Sequence, residues 1–180
     1  MNDVIERILV TEEEIIKRSK ELGAVITQDY RDAGKTPIVV GLLKGSVPFL
    51  AEIMKHIDLD IEIDFMDVSS YDGAQSVGDV KINKDLDKSV KGESILLVED
   101  IVDTGRTLKE GKKLLLHTGA ADVKIVSLLD KPSRRVIEIQ ADYVGFELPN
   151  EFVVGYGLAY AQKYRHLPYI GVLRPQVYEN

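Results

Sequence analysis

Apolar positions in this chain follow two rhythms, one of the helix and one of the buried strand, and the two alternate along most of its length. From Thr11 to Tyr30 the residues Ile15, Leu22, Val25 and Ile26 recur on one helical face. Thr11 and Glu14 have capping-box spacing, and Gly34 and Pro37 end the helix. Ile38-Val39-Val40-Gly41-Leu42-Leu43 is a short continuous apolar run, the pattern of a strand covered on both faces. Pro48 fits the first turn of a second helix, with Phe49, Leu50, Ile53, Met54 and Ile57 as its apolar stripe. Ile61, Ile63 and Phe65 then alternate with Glu62, Asp64 and Met66, which predicts a strand with one face less buried. Residues Asp72 to Gly92 are polar and carry little periodicity beyond Val80 and Ile82, so they read as a flexible flap. Ile95 to Val98 is another buried strand, Thr107 to Thr118 a helix closed by Gly119, and Val123 to Leu129 a further strand. Tyr143 to Phe146 and Phe152 to Val154 make two more. This alternation predicts an α/β fold with a largely parallel central sheet and helices on both faces.

No repeat, low-complexity tract or Pro/Ser-rich linker interrupts the pattern, so residues 1–180 are expected to form a single domain. The absence of cysteine excludes a disulfide framework, a catalytic thiol and any Cys-based metal site. The first residues lack the basic start and apolar stretch of a secretory signal, and no apolar run reaches membrane-spanning length. A soluble, cytoplasmic protein is expected. Its 30 Asp+Glu against 23 Lys+Arg, formal net charge -7, oppose nonspecific attraction to nucleic acid or anionic membrane.

In a parallel α/β sheet, ligands gather beyond the carboxyl ends of the strands. The richest chemistry at such a place is Glu99-Asp100-Ile101-Val102-Asp103-Thr104-Gly105-Arg106-Thr107, which follows Ile95-Leu96-Leu97-Val98. Thr104, Gly105, Arg106 and Thr107 put two hydroxyls, a glycine and a cation at the start of a helix, where unpaired N–H groups favour an anion such as phosphate. Carboxylates beside a phosphate repel it unless Mg²⁺ or sugar hydroxyls stand between them.

Competing motifs fail on spacing. Gly41-Leu42-Leu43-Lys44-Gly45-Ser46 lacks the Gly-Lys-Ser/Thr order of an ATP-binding P-loop, and Gly155-Tyr156-Gly157 has Tyr160 where a dinucleotide fingerprint needs glycine, leaving a turn. An acidic phospho-receiver strand would stand near the start of its domain, whereas here 80 residues follow Asp100. His56, His117 and His166 have neither metal-ligand spacing nor an adjacent nucleophile, and no catalytic role is assigned to them.

The nonapeptide resembles the phosphoribosyl diphosphate signature of type I phosphoribosyltransferases. Leu43-Lys44-Gly45, Ser70-Tyr71, Leu129-Asp130-Lys131-Pro132 and Phe152-Val153-Val154-Gly155-Tyr156-Gly157 narrow the likeness to the bacterial hypoxanthine (hypoxanthine-guanine) branch, from about Ile8 to Leu173. The resemblance implies a type I fold with a small hood and a flap, and transfer of 5-phosphoribosyl from phosphoribosyl diphosphate to hypoxanthine or guanine. IMP or GMP and diphosphate would be the products, Mg²⁺ the cofactor, and a homodimer or homotetramer the assembly.

By that resemblance Thr104, Gly105, Arg106 and Thr107 hold the 5′-phosphate, and Glu99 and Asp100 face the ribose hydroxyls and the Mg²⁺ shell. Asp103 exchanges a proton near purine N7. Lys44 and Gly45 form the diphosphate loop, with the Leu43–Lys44 bond cis in many relatives, and Arg165 reaches diphosphate. Lys131 donates to the 6-oxo group, Phe152 stacks on the purine and the backbone of Val153 reads its edge. Ser70 and Tyr71 open a flap that excludes water. Where the family has a metal-binding Asp after Gly157-Leu158, this chain has Ala159, which cannot coordinate metal. The departure gives weight to a rival reading, a phosphoribosyl-binding regulator with weakened catalysis; within the enzyme class the rival is xanthine-guanine specificity.

Overall fold

The structure is a computed structural model and describes residues 2–70 and 80–179. In chain order it contains β1 (Ile5–Val10), α1 (Glu12–Asp32), β2 (Ile38–Leu42), α2 (Val47–Ile53), β3 (Glu62–Ser70), β4 (Val80–Lys84), β5 (Ser94–Val102), α3 (Arg106–His117), β6 (Asp122–Asp130), β7 (Tyr143–Glu147), β8 (Val153–Val154), β9 (Ile170–Leu173) and α4 (Pro175–Tyr178). The capping box forms as its spacing predicts: Thr11 Oγ1 accepts from Glu14 N–H at 3.2 Å, and Glu14 accepts from Thr11 N–H at 3.0 Å.

Six strands form one sheet in the order β4-β3-β2-β5-β6-β7, parallel except at the β4 edge. The continuous apolar runs become its centre: all five residues of β2 and the first six of β5 are buried. Alternate residues serve opposite faces. Val39, Leu96, Val98 and Val126 pack with Phe49, Leu50 and Ile53 of α2 and Ile15, Leu22 and Ile26 of α1. Val40, Leu42, Leu97 and Ile125 pack with Leu108 and Leu115 of α3 on the other side. The chain therefore winds one way from β2 through α2 to β3, and the other way from β5 through α3 to β6. The two directions part between β2 and β5, and the crevice that such a reversal opens lies beyond their carboxyl ends.

A second sheet, β1-β9-β8, is antiparallel. One face lays Val10, Val153, Ile170 and Val172 on the main core, and the other gathers Ile5, Val154, Leu167 and Leu173 into a cluster of its own. The strand expected at Phe152 to Val154 belongs to this hood and not to the parallel sheet.

Several expectations need correction. Val25 is 51% exposed. Ile15, Leu22 and Ile26 are buried as expected, and the stripe also includes Ser19, Gly23, Thr27 and Tyr30; the Ser19 and Thr27 hydroxyls donate inside the helix to Ile15 O at 2.8 Å and Gly23 O at 2.7 Å. On β3, Ile63 is 46% exposed while Met66 and Val68 are buried, so the face bearing Met66 turns inward toward its carboxyl end. The flap expected over Asp72 to Gly92 includes β4, which pairs with β3, and the buried Val90. Tyr71 and residues 72–79 lie outside the described residues. Strand β5 runs on to Val102, so Glu99 and Asp100 stand within its last turns and not after it.

Candidate active site

Strand β5 carries two adjacent carboxylates into the crevice, and their surroundings differ. Glu99 is buried, and burial together with the neighbouring Asp100 holds its carboxyl well above the ordinary carboxylate range. Glu99 Oε1 accepts from Asp100 N–H at 2.9 Å, and Asp100 Oδ1 from Ile101 N–H at 2.7 Å. Among the described residues neither makes an ion pair, so this end of the strand lacks a compensating cation. Half-buried Asp100, with Glu99 buried beside it, offers carboxylate oxygen of the kind that suits Mg²⁺, which commonly takes one or two carboxylates and completes its shell with water and substrate phosphate oxygens. The residues present fit the ion. No cluster of three or more His, Cys, Asp or Glu among the described residues offers a closed metal cage.

Beyond β5 the chain turns sharply into α3. Gly105 has φ +89° and caps the helix without a side-chain bond. A Cβ there would lie 2.6 Å from Ile139 Cγ2, so both conformation and space require glycine. The first-turn N–H groups of α3 face outward, flanked by Thr104 and Thr107, and Thr104 Oγ1 accepts from Arg106 N–H at 3.4 Å. Residues 99–105 with Thr107 and Leu108 line a cavity of about 230 Å³. It matches an anion pocket at a helix N-terminus. A larger concavity, about 410 Å³, lies at the opposite, amino ends of β2 and β3, where Arg31 and Asp58 already pair at 2.6 Å.

Asp103 lines the smaller cavity, between the acidic pair and the turn into α3. Its Oδ1 lies 2.8 Å from Arg134 Nε but off the N–H axis, so the contact is an ion pair and not a hydrogen bond. Lys131, buried at the end of β6, is held by Lys131 N–H to Val102 O at 2.9 Å. Burial lowers its pKa, and Asp103 and Glu151 partly oppose that. Arg135 fastens the loop beneath: it donates to Asp103 O at 3.1 Å, to Ile139 O at 2.6 Å and to the Asp130 carboxylate.

The exit of β2 closes the other side. The Leu43–Lys44 peptide is cis. Gly45 presses on the acidic pair: a Cβ at residue 45 would lie 1.9 Å from Asp100 Oδ2. Gly157, at φ +101°, presses in turn on Gly45, where a Cβ would lie 1.9 Å from the Gly45 carbonyl oxygen. Arg165 donates to Gly157 O at 2.6 Å. Thus Asp100, the 44–45 loop, Gly157 and Arg165 form one continuous contact chain.

In the hood, Phe152 is 38% exposed, with its ring stacked on Tyr178 (4.8 Å, 19°) and meeting the Tyr160 ring at 83°. Val153 is buried and in register with Val172. Ser70 ends β3.

The phosphoribosyl transferase domain matches residues 9–161 of the chain. The chain belongs to the phosphoribosyltransferase family. It is 60% identical to the hypoxanthine-guanine phosphoribosyltransferase of Lactococcus lactis over 99% of this chain and 96% of that protein. Against the enzyme of the same name from Bacillus subtilis the identity is 56%, over 100% of this chain and 99% of the other. A crystal structure of a hypoxanthine phosphoribosyltransferase from Staphylococcus aureus superposes with TM-score 0.93 at 50% identity, covering 99% of this chain and 96% of that one.

The arrangement places a cavity at a helix N-terminus, an acidic pair and a cationic loop around one crevice. Sequence reasoning overlooked three contributors. Arg134 and Arg135 stand three and four residues after Lys131, and their partners, Asp103, Asp130 and Ile139, come from folding. Gln162 was visible beside Arg165, yet nothing in the sequence showed that its amide meets Lys44, 118 residues away.

Proposed function

We propose that this phosphoribosyltransferase moves a 5-phosphoribosyl group from phosphoribosyl diphosphate to N9 of hypoxanthine or guanine, releasing diphosphate and forming IMP or GMP. The observation that carries the proposal is the joining of an anion pocket at Thr104–Thr107 to the Glu99–Asp100 pair on one side and to Lys131 with Asp103 on the other. These are the three chemistries that a phosphorylated ribose and a 6-oxopurine require.

In this reading Thr104, Gly105, Arg106 and Thr107 bind the 5′-phosphate far from the breaking bond, so that binding energy fixes the ribose. Glu99 and Asp100 take the ribose hydroxyls and hold Mg²⁺, an ion that neutralises diphosphate charge when bound. Lys44, Gly45 and Arg165 receive the departing diphosphate. The N9–C1′ bond forms as the C1′–oxygen bond to diphosphate breaks, and Asp103 takes up the proton near N7. Lys131 offers an N–H to the 6-oxo oxygen whether amine or ammonium, whereas adenine presents an amino donor there. Phe152 gives the purine an apolar plane, Val153 its backbone groups, and Ser70 and Tyr71 the start of a closing flap that shields the donor from water. The activity belongs to purine salvage in the cytoplasm, carried by a homodimer or homotetramer. No helix among the described residues is long and apolar enough to cross a membrane.

The test is direct. Purified protein with phosphoribosyl diphosphate, Mg²⁺ and competing hypoxanthine, guanine and xanthine should yield IMP and GMP. Absence of product from both this chain and its Ala159→Asp form would end the enzymatic reading, and ligand binding without turnover would favour the regulatory one. Dominant XMP formation would assign xanthine-guanine specificity instead.

A further inference from the structure

Two cations converge on one neutral oxygen. Lys44 Nζ donates to Gln162 Oε1 at 3.3 Å, and Arg165 Nη2 donates to the same atom at 3.2 Å. Among the described residues neither cation has a carboxylate partner, and the Gln162 amide oxygen is the side-chain acceptor they share. The other end of the Arg165 fork is anchored on Gly157 O, and Gly157 abuts Gly45, so the shared oxygen belongs to the wall of the 44–45 loop.

The backbone that presents Gln162 is unusual. Tyr160 and Lys163 exchange N–H···O bonds of 3.1 and 2.9 Å across a two-residue turn whose centre, Ala161 (φ +48°) and Gln162 (φ +66°), lies in the left-handed region. Such a turn favours Asn-Gly; two side-chain-bearing residues without a local hydrogen-bonding preference sit there against that tendency. Backbone held in so disfavoured a conformation is found where surrounding contacts dictate it, commonly at ligand clamps. The turn is closed by the Tyr160–Lys163 pair, and from it the Gln162 amide reaches both cations in solvent-exposed bonds.

We propose that Gln162 is a positioning residue for diphosphate, its amide oxygen standing in for a phosphate oxygen. It holds Lys44 and Arg165 on one point before the donor arrives and yields that point to the diphosphate. The inference rests on the function proposed above and deepens it by naming what sets the diphosphate site. Neutrality is part of the device. A carboxylate at 162 would grip both cations more strongly and repel the incoming anion, whereas an amide orders them and can be displaced.

Gln162→Gly and Gln162→Glu separate this role from a structural one. Glycine relieves the positive φ, so the melting temperature of Gln162→Gly should hold or rise. Its KM for phosphoribosyl diphosphate and its inhibition constant for inorganic diphosphate should each rise about tenfold, with KM for hypoxanthine unchanged. Gln162→Glu should raise both further, and most at low ionic strength, where repulsion is least screened. Unchanged donor KM and diphosphate inhibition in both variants would overturn the proposal, as would a parallel rise of both substrates' KM with a fall in melting temperature. If the unaltered protein forms no IMP, the parent reading fails by itself. Calorimetric titration with inorganic diphosphate and Mg²⁺ then decides: about tenfold weaker binding to Gln162→Gly supports the inference, and equal affinities refute it.

Discussion

Gly45 and Glu52 show how much a single position depends on what lies against it. With Asp100 Oδ2 only 1.9 Å from where a Cβ would sit, Gly45→Ala forces either the loop or the carboxylate to move. Displacement of a reacting group by about 1 Å can cost on the order of 100-fold in rate, so kcat/KM should fall by about that factor while the far-UV spectrum stays native. A variant retaining full activity would refute the contact. Asp103→Asn keeps the shape and removes the carboxylate to which the proposed mechanism assigns the proton; kcat should drop by about 10² to 10⁴, measured at saturating substrates. Glu52, buried on α2, illustrates the electrostatic side. Burial by itself would raise its pKa, but Lys55 and His56, the latter at 3.1 Å, outweigh that and hold it below the usual carboxylate value. A folded-state pKa below the unfolded one means that the unfolded chain takes up the proton first. The stabilisation is therefore present above the unfolded value, about pH 4.3, and is lost as pH falls through the folded value. Glu52→Gln should flatten the melting temperature against pH between about pH 5 and pH 3, and an unaltered slope would contradict the pairing. The sequence pattern pointed to Glu99, Asp100 and the turn at Thr104–Thr107, and the family resemblance pointed to Lys131. Their partners were not legible, because Arg134, Arg135 and Gln162 act through contacts that sequence spacing does not encode.

At the scale of elements, α1 shows where local rules succeed and where packing overrules them. Its start was readable because a capping box is a relation between residues three apart. Its buried face was only partly readable. Gly23, mid-helix, would by propensity alone be stabilised by alanine, by about 1 kcal/mol. Here a Cβ would lie 2.5 Å from both the Cβ and the carbonyl oxygen of His56, so the helix meets the turn after α2 without room for a methyl. Gly23→Ala should therefore destabilise the protein by roughly 1–3 kcal/mol in urea unfolding, the reverse of the propensity expectation, and a rise in stability would disprove the close approach. The hood was less legible still. Strands β1, β8 and β9 are short and far apart in sequence, and Ile5 pairs with Leu173 across nearly the whole chain. No periodicity in one segment announces a partner that distant. Strand β4 was hidden for a related reason: an edge strand of five residues offers only Val80 and Ile82 as an alternating signature within a polar segment.

For the whole molecule, the reversal of winding between β2 and β5 brings residue 45 against residue 100, and residue 157 against residue 45. The consequence of Ala159 belongs to this scale, since that half-buried residue lies in the loop that closes over the 44–45 turn. Ala159→Asp should add an oxygen donor and raise Mg²⁺-dependent turnover, with half-saturating Mg²⁺ lower by about tenfold. Coincident rates for the two proteins across a Mg²⁺ titration would rule this out. What the amino-acid order determined by itself was local and periodic: the capping box, the apolar runs of β2 and β5 and the glycine-bearing turn into α3, each set by steric or hydrogen-bonding rules among near neighbours. Only tertiary structure decided that Gly45 abuts Asp100, that Arg134 meets Asp103 and that one amide oxygen holds Lys44 and Arg165. The physical reason is that such approaches depend on how two layers of helices and a hood pack onto one sheet, a geometry that no window of neighbouring residues contains.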